Sequence, residues 1–420
     1  MPGILADVLS KEKPVIYVGE AYYHYRDGVY HQAEDNHYRR IIQKQLFPEN
    51  STMGHINDSL GQWTLKIRRS TVALNPNPSL INLKNGLYDL GSGLLGPHDP
   101  NYLSTIQMGT AYDPDAQAPR FMAFLKDCLD EETRLLVQEI FGYLLIPETC
   151  AQKAFVFVGD GGAGKSTLLS VAQDLLLGRG NVSNVPWQSL DDRFKTAELF
   201  GKLANIFADL PSKNIDDNGM FKSITGEDMI IAERKNKDPF AFKATARLVF
   251  SCNEIPKNLG DRSEAFYRRL VIVPFLPAKP VALRDLKLKD RLAEEAPGIF
   301  NWALQGLKRL KANAFRFTSS QKSSNALDNY RIGGSSVLTF VDECCVVDSS
   351  RQVSSTQLYH AYKKYTQDFG MRAVSQKRFW TELSAEHKTM DRYRENVSRR
   401  MMYQGIDLEM DEGEEAFGSY

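Results

Sequence analysis

The sequence predicts an α/β fold, in which apolar strands form a sheet with helices packed around it. Between about residues 147 and 280, strand-like runs alternate with helical segments, and these runs are AFVFV, LANIFA, RLVFSC and LVIVPF. Their near-continuous apolarity is typical of strands buried on both faces. A glycine-rich loop separates the first of these strands from an apolar segment with helical periodicity. The centre of the chain is therefore expected to be a layered α/β domain.

Composition and charge limit the classes of function. The chain has 420 residues, with 52 basic and 52 acidic side chains and no formal net charge. A nucleic-acid partner therefore requires local basic patches instead of a global positive field. The five cysteines include no CxxC pair, which argues against a disulfide framework and a cysteine-rich zinc site. Without a signal-peptide pattern or a run of 18 apolar residues, a reducing cytosolic environment and no membrane partner are expected.

The first predicted domain, residues 1–145, mixes strands and helices. Alternating residues around the turn Arg26-Asp27-Gly28 predict a hairpin, and Asn85-Gly86 marks a second tight turn. Apolar residues at helical spacing between 121 and 146 predict two helices that lead into the strand-rich region.

The second predicted domain, residues 146–320, begins with the motif that carries most chemical information. Gly159, Asp160, Gly161, Gly162, Ala163, Gly164, Lys165 and Ser166 fit the pattern GxxxxGK[ST], and Thr167 follows. A strand precedes the motif and a helix over about 165–177 follows it, as a phosphate-binding P-loop requires. Glycine lets backbone N–H groups converge on phosphate oxygens at a helix N-terminus. Lys165 is expected to reach the β- and γ-phosphates of ATP, and Ser166 to ligate Mg²⁺.

Three further positions follow or precede apolar strands. Asp209 ends the strand KLANIFAD, where a carboxylate suits metal coordination or water activation. Asn253 ends the strand RLVFSC, where an amide either holds the attacking water or caps a turn. Arg268 and Arg269 precede the strand LVIVPF, and they form either a salt-bridged surface pair or an arginine finger for a neighbouring subunit. On spacing alone, Asp209 remains open to being a surface residue.

A polar tip separates two predicted strands, MIIAE and FAFKATA. It contains Arg234, Lys235, Asn236 and Lys237. A tip with three cations is either a solvated turn or a probe for phosphates, and charge alone favours the solvated turn.

The third predicted domain, residues 335–407, contains two or three helices followed by a hairpin, the pattern of a winged helix. Between 350 and 405 there are eleven Lys and Arg residues against five acids. The segment VSQKRFWTELSAE is the candidate recognition helix, with Lys377 and Arg378 facing DNA. The alternative is an interaction module with ordinary solvated charges. Residues 408–420 form an acidic tail that we expect to be disordered.

The order of these features resembles a superfamily 3 helicase, an AAA+-type motor. More narrowly, it resembles the phage and plasmid primase-helicase family related to the poxvirus primase-helicase. The similarity is strongest over about residues 80–278. It is carried by NGLYDL, YDPDAQAPRFMAFL, VQEIFGYLLIPETCAQKAFVFVGDGGAGKSTLL, FKTAELFGKLANIFADL, KSITGEDMIIAERKNK, LVFSCNEIP and YRRLVIVPF.

The resemblance implies a role for each matched position. Lys165 and Ser166 would contact phosphate and Mg²⁺, and Asp209 would be the second-motif acid. Asn253 would sense the γ-phosphate, and Arg268 or Arg269 would be the trans finger. Lys235, Asn236 and Lys237, beside Arg234, would form a pore-loop tip that follows one DNA strand. Residues 1–145 would act as a collar for oligomerisation.

The resemblance also implies partners. A homo-hexamer would translocate 3′ to 5′ on single-stranded and forked DNA during replication of a phage, plasmid or other mobile element. It would work in the cytoplasm of a bacterial host, with a primase or polymerase of the same element.

Two departures from the family pattern leave alternatives open. Ala208 stands where several relatives have a second acid, so Asp209 would serve alone or share the work with another residue. Residues 1–80 are too short for a primase, so the chain is either a helicase without one or a fragment. The rival functions are an ATP-driven loader that does not unwind DNA and a single-subunit P-loop kinase.

Overall fold

The computed structural model divides the chain into two compact units, residues 1–327 and residues 328–420. It describes residues 14–46, 51–215, 217–258, 263–280, 287–387, 390–395 and 399–409, with the single positions 3, 6, 7, 9, 261, 282 and 285. The predicted acidic tail lies outside the described residues from 410 onward. The predicted domain limits at 145, 320 and 335 remain predictions.

From residue 14 onward, the described residues of the N-terminal part of the first unit form two three-stranded antiparallel sheets and two α-helices. The elements are β1 (Val15–Val18), β2 (Ala21–Arg26), β3 (Val29–Ala33), α1 (Asp35–Gln45), α2 (Met53–Ile67), β4 (Leu80–Leu83), β5 (Gly86–Asp89) and β6 (Leu95–Gly96). The predicted hairpin joins β2 to β3 through Asp27 and Gly28, which have φ angles of 53° and 85°. The second predicted turn lies between β4 and β5. Both turn predictions are confirmed.

The rest of the first unit alternates helices and strands. In chain order its elements are α3 (Pro119–Cys128), α4 (Glu131–Tyr143), β7 (Ala154–Val158), α5 (Lys165–Ser170), β8 (Val182–Ser183), α6 (Arg193–Thr196), β9 (Ala204–Phe207), α7 (Gly219–Thr225), β10 (Met229–Ala232), β11 (Phe240–Lys243), β12 (Arg247–Cys252), α8 (Glu264–Tyr267), β13 (Leu270–Pro274), α9 (Leu288–Ala293), α10 (Ala296–Ala312) and α11 (Gln321–Gly333). The two helices predicted before residue 146 are α3 and α4. The helix predicted over 165–177 is α-helical only to Ser170, and residues 171–177 continue it as a π-helix.

A five-stranded parallel sheet forms the centre of this unit, in the order β13-β7-β12-β9-β8. All six residues of β12 are buried, as are the first four of β7. Continuous burial explains why these strands read as unbroken apolar runs, because helices cover both faces of a parallel sheet. The mixed α/β class predicted from the sequence is confirmed.

The register of the sheet brings three strand ends to one edge. Val158 lies opposite Cys252, and Phe250 lies opposite Phe207. Because the strands run parallel, the chain segments that follow β7, β12 and β9 leave the sheet on the same side. Ligand sites of open α/β sheets occupy this edge.

Close helix packing supports the sheet from one side. A methyl group on Gly306 of α10 would lie 2.1 Å from the carbonyl oxygen of Gln138 on α4. The backbones of the two helices therefore approach as closely as glycine allows. Between the same helices, the buried carboxylate of Glu139 accepts a hydrogen bond of 2.7 Å from Nε of Arg309. The same carboxylate accepts a hydrogen bond from the backbone N–H of Thr318 at 2.6 Å. Both of its oxygens therefore have hydrogen-bond donors, which compensates the burial of the charge.

Beyond the end of α11, the described residues of the second unit form three helices and two small sheets. Its elements are α12 (Ser336–Cys344), β14 (Cys345–Val346), β15 (Gln352–Ser354), α13 (Ser355–Asp368), α14 (Gln376–Glu386), β16 (Asp391–Arg394), β17 (Met401–Gln404) and β18 (Asp407–Leu408). Strands β15, β17 and β16 form one antiparallel sheet, and β14 pairs with β18. The helices and terminal hairpin predicted for this region are confirmed as elements. Their core includes Phe340, Leu358, Tyr362, Phe379 and Leu383.

Candidate nucleotide site and basic hairpin

The glycine-rich loop lies between the end of β7 and the start of α5. Gly159, Gly162 and Gly164 have φ angles of 155°, 85° and 103°. Gly164 also sits against α3, because a methyl group there would lie 2.6 Å from Sγ of Cys128. A side chain at this position would be strained and would push the loop away from α3. The glycine therefore allows the loop to pack directly on α3, a helix that precedes the sheet in the chain.

Lys165 begins α5 and lies beneath the loop with 7% of its surface exposed. Its ammonium group donates to the backbone carbonyl oxygens of Gly159 and Asp160, the latter at 2.9 Å. It also donates to Oδ1 of Asn253 at 3.0 Å. Burial lowers the pKa of Lys165, while Cys252, Asp160 and Asp209 act in the opposite direction. The lysine is thus held at the edge of the sheet by acceptors on two neighbouring strand ends.

A cleft of about 850 Å³ opens above the loop. The predicted residues that line it are Gly161, Gly162, Ala163, Gly164, Lys165, Ser166, Thr167, Asp209 and Asn253. Gly159 and Asp160 do not line the cleft, and they contact Lys165 through their carbonyl groups. Residues from three separate strand ends therefore converge on one space whose volume suits a small-molecule site.

Asp209 lies two residues beyond β9 and adopts a left-handed conformation with φ of 60°. Its backbone N–H donates to Oγ of Ser251 at 3.3 Å, and that of Leu210 donates to the carbonyl oxygen of Ser251 at 2.8 Å. Ser251 is buried in β12 and lines the cleft. It positions the acid, and sequence reasoning missed it. The available signal was a hydroxyl side chain inside an otherwise apolar strand.

The two predicted finger arginines are not brought to the cleft of their own chain. Arg269 is 9% exposed, and its guanidinium donates to the carbonyl oxygen of Ala265. Burial lowers its pKa, as does the neighbouring Arg268, while Asp228 and Asp261 act in the opposite direction. The side chain of Arg268 is exposed, and its carbonyl oxygen accepts a hydrogen bond from Lys153.

The basic tip joins β10 and β11, which form an isolated antiparallel hairpin. Lys235 and Asn236 are exposed, and Asn236 has a φ of 60° at a turn closed by a 3.0 Å bond from N–H of Lys237 to the carbonyl oxygen of Arg234. Arg234 differs, because its guanidinium lies 5.4 Å from the ring centre of Phe240 and 5.9 Å from that of Phe200. Fewer of the four tip residues are fully exposed than the sequence indicates, because only Lys235 and Asn236 are.

Two contacts hold the tip-side half of this hairpin against the body of the unit. Glu233 accepts an ion pair of 3.1 Å from Arg193 of α6, and the Glu233 N–H donates to the Arg193 carbonyl oxygen. On the other strand, the hydroxyl of Thr71 donates to the carbonyl oxygen of Ala241 at 3.3 Å. The hairpin is thus attached to both the sheet region and the N-terminal part.

The predicted recognition helix is α14. Its residues Phe379 and Leu383 are fully buried, and the ring of Trp380 stacks on that of Tyr403 with the centres 4.2 Å apart. Lys377 is exposed. Arg378 donates to Glu382 one turn away at 2.7 Å, so its charge is balanced within the helix.

Within the described part of the chain, no helix is long and apolar enough to span a membrane.

Three family models match separate stretches of the chain. Residues 3–130 match the model described as D5 N terminal like, and residues 335–404 match the model described as Poxvirus D5 protein-like. The stretch between them, residues 157–269, contains the glycine-rich loop and the basic tip. It matches a family of unknown function (DUF5906).

One curated relative is a protein of Acanthamoeba polyphaga mimivirus that carries the provisional name of a helicase. It is 25% identical over 48% of this chain, and the chain spans 22% of the length of that relative.

Solved structures show that the fold has a precedent. An apo structure of the C-terminal region of NrS-1, termed the A form, superimposes with a TM-score of 0.57 at 13% identity, covering 97% of this chain and 99% of the other. A second apo structure of the same region gives a TM-score of 0.56 at 12% identity, with coverage of 97% and 99%. The poxvirus D5-type matches at both ends and the helicase-named viral relative thus confirm the resemblance of the chain to the phage and viral primase-helicase family.

Proposed function

We propose that this chain is an ATP-dependent DNA helicase with an AAA+-like, superfamily 3 core, which serves the replication of a phage, plasmid or other mobile element. The observation that carries the proposal is the single cleft lined by the glycine-rich loop, Lys165, Ser166, Asp209 and Asn253. These are the groups that phosphoryl transfer from a nucleoside triphosphate requires.

In the proposed reaction, Lys165 exchanges the carbonyl oxygens of Gly159 and Asp160 for phosphate oxygens. The hydroxyl of Ser166 and the carboxylate of Asp209 would hold Mg²⁺, which would neutralise charge on the phosphates. Asn253 already contacts the Lys165 ammonium at 3.0 Å, so it is placed to respond to the terminal phosphate. Asp209 is the one acid that this proposal assigns to Mg²⁺, because the residue before it is Ala208 and not a second acid.

A second cation would come from a neighbouring copy of the chain. The other cations that line the cleft are each paired with a carboxylate: Arg120 with Glu294, Lys279 with Asp127, and Arg291 with Asp285. Exposed Arg268 is the better candidate for the trans finger, since Arg269 is buried in its own chain. A ring of six copies would place ATP at each interface.

The hairpin tip would transmit the work of hydrolysis to DNA. Exposed Lys235 and Asn236 at the end of an isolated hairpin are suited to the sugar-phosphate backbone of one strand. By the family resemblance, translocation would be 3′ to 5′ on single-stranded or forked DNA, alongside a primase or polymerase of the same element. The host cell would be bacterial.

The second unit would add a further DNA contact. Its described elements are, in chain order, a helix, two strands, two helices and three strands, and β15 pairs with β17 and β17 with β16. Helices followed by this small antiparallel sheet support a winged helix, in which α14 would present Lys377.

The deciding experiment measures ATP hydrolysis and strand displacement on forked DNA with one preparation. The intact protein should do both, and Lys165→Ala should do neither, because its loop lacks the cation for the phosphates. Normal hydrolysis by Lys165→Ala would contradict the nucleotide site. Hydrolysis by the intact protein without strand displacement would support the loader instead of the helicase.

A further inference from the structure

A second cavity, of about 1010 Å³, lies apart from the nucleotide cleft and shares no lining residue with it. Three parts of the first unit form its walls: strands β2 and β3, the segment between the π-helix and β9, and the tip of the hairpin β10–β11. We name it the side cavity, and its principal lining residues are Tyr23, Tyr30, Phe194, Lys202, Arg234 and Lys235. The proposed hydrolysis of ATP makes no use of this space.

Direct contacts join the walls of the side cavity. A methyl group on Gly19, between β1 and β2, would lie 2.6 Å from Cε1 of Phe200, so the N-terminal sheet packs closely on that ring. Nδ2 of Asn181 donates to the carbonyl oxygen of Gln107 at 2.5 Å, and Nε2 of Gln107 donates to that of Asp27 at 2.8 Å. The side cavity is therefore a preformed space whose walls are held by the fold.

The charge on these walls is mainly positive. Three cations line the side cavity without an ion-pair partner among the described residues, and they are Lys202, Arg234 and Lys235. Burial lowers the pKa of Lys202, Glu198 acts in the opposite direction, and Arg234 adds to the lowering. The other acid on the walls, Glu233, is already paired with Arg193 at 3.1 Å. An anionic group would therefore compensate charges that the described part of the chain leaves unpaired.

Arg234 has hydrogen-bonding capacity that its own chain does not use. Its Nη1 atom is buried and has no acceptor among the described residues. The guanidinium is held between the rings of Phe200 and Phe240, and it opposes the rise in pKa that burial gives Tyr23. A buried donor without an acceptor costs free energy, and a phosphate group matches the planar fork of a guanidinium.

The side cavity also presents one exposed aromatic ring. Phe194 of α6 is 47% exposed, whereas Tyr23, Tyr30 and Phe200 on the same walls are at most 8% exposed. An aromatic ring beside cations is the combination that binds single-stranded nucleic acid, because a base stacks on the ring while its phosphate faces the cations. An acidic peptide would use the cations but would gain less from the ring. Lys235 belongs to both the cavity wall and the exposed tip, so a strand at the tip reaches the cavity directly.

We propose that the side cavity binds one unpaired nucleotide of a nucleic-acid strand, with its base on Phe194 and its phosphate against Arg234 and Lys202. The proposal rests on the proposed function in one respect, because the strand is the one that Lys235 contacts at the tip. It goes beyond that function, which assigns the hairpin contacts with phosphates alone. Stacking adds a part of the affinity that salt does not screen.

The first test measures fluorescence anisotropy of a labelled oligothymidylate of about 20 nucleotides, without ATP. Phe194→Ala should weaken binding about tenfold, since one stacked base is lost. The slope of log affinity against log salt should stay unchanged, because every phosphate contact remains. Phe194→Tyr keeps a ring and should bind within about twofold of the intact protein. Leu135→Ala, which removes a 42% exposed apolar side chain from α4, is the matched control and should have no effect.

The second test removes one charge from the side cavity. Lys202→Gln keeps a side-chain donor near the carbonyl oxygen of Gly180, which the lysine contacts. It should lower the magnitude of the salt slope by about 0.7, the value for one phosphate of a single strand. Lys308→Gln removes an exposed charge on α10 and should leave the slope unchanged. The two tests therefore separate the contact with the base from the contact with the phosphate.

Unchanged affinity of Phe194→Ala, or an unchanged slope for Lys202→Gln, would overturn the side-cavity proposal while leaving the tip assignment intact. Polyglutamate that displaced the oligothymidylate as well as unlabelled oligothymidylate does would assign the cavity to an acidic peptide instead. Failure of the intact protein to bind any strand would overturn the side-cavity proposal and the DNA-binding part of the proposed function together.

Discussion

Arg268 and Arg269 are neighbours in the chain, yet their side chains lie in different surroundings. The Arg269 guanidinium donates to the Ala265 carbonyl within its own chain, and the side chain is 9% exposed. Arg268 is exposed at the same corner of the sheet, before β13. The side chain that can reach a second copy is therefore Arg268, whereas Arg269 stabilises its own chain.

This difference leads to opposite expectations for the two alanine variants. Arg268→Ala should lower ATP turnover of the assembled protein by about 10³-fold or more, the usual effect of losing a trans arginine, with little change in thermal stability. Arg269→Ala should mainly lower the unfolding temperature, because it removes a buried hydrogen bond. Steady-state hydrolysis and thermal unfolding check both.

Mixing gives the control for the Arg268 prediction. Lys165→Ala and Arg268→Ala chains should each be inactive alone, whereas a mixed ring would contain interfaces with an intact lysine and an intact arginine. Partial recovery of hydrolysis is expected in the mixture. Full turnover by Arg268→Ala alone would rule out its assignment as the finger.

The residues of the candidate site that could be predicted from sequence share one property. Lys165, Asp209 and Asn253 follow apolar strands, and parallel strands bring their ends to one edge of a sheet. Phe124 and Cys128 could not be predicted, because their place in the cleft depends on how α3 packs under Gly164. Periodicity identifies a helix face as buried without saying what it is buried against.

At the scale of elements, the hairpin β10–β11 is the part expected to contact DNA. Lys235→Ala combined with Lys237→Ala should leave basal ATP hydrolysis within about twofold but abolish stimulation by DNA and strand displacement, since the phosphate contacts are lost. Hydrolysis with and without single-stranded DNA, followed by a forked-substrate assay, measures the effect.

The control for the hairpin removes the same charge elsewhere. Lys308→Ala with Lys311→Ala changes two exposed lysines near the end of α10. This variant should unwind DNA normally. Equal loss of unwinding in both double variants would mean that total charge matters and that the tip has no special role.

The contact between α4 and α10 permits a stability prediction. Gly306→Ala would place a methyl group 2.1 Å from the Gln138 carbonyl oxygen, so one helix must move. We expect a loss of about 1–3 kcal/mol in the free energy of unfolding, as in other overpacked cores. Gly61→Ala in α2, which has open space around it, should instead stabilise the protein by about 0.5–1 kcal/mol. Chemical denaturation of both variants measures these free energies. A Gly306→Ala protein with an unchanged free energy of unfolding would contradict the prediction.

Elements with strong patterns were predictable, and elements shaped by tertiary contacts were not. Alternation around Gly28 and helical periodicity before residue 146 predicted the hairpin and helices that the structure contains. The π-helix over 171–177 was not predicted, because Val171–Leu177 has the apolar spacing of an ordinary helix. The half-buried position of Arg234 also depends on the ring of Phe200, which is distant in sequence.

At the scale of the whole molecule, the proposal requires assembly. Native mass measurement with ATP and forked DNA should give a species of six copies, and Lys165→Ala should shift the population toward smaller species because ATP no longer joins neighbours. Rising salt should weaken DNA binding steeply, since the contacts are mainly with phosphates. A chain that remains monomeric under all these conditions while it unwinds DNA would contradict the ring.

Balanced charge and an α/β pattern set the broad class of the molecule in advance. Neither property specifies how many copies assemble, because that depends on surface complementarity that periodicity does not encode. The division of the chain at residue 327 falls between the predicted limits of 320 and 335, whereas the continuity of α11 through it was not apparent.

The packing of α3 beneath Gly164 has a consequence for how such genes diverge. The helix lies in the stretch matched by one family model and the loop in the stretch matched by another. A recombination event that replaced either stretch alone would set an unmatched surface against the glycine. We therefore expect the two stretches to be inherited together, and natural chimeras to have their junctions elsewhere.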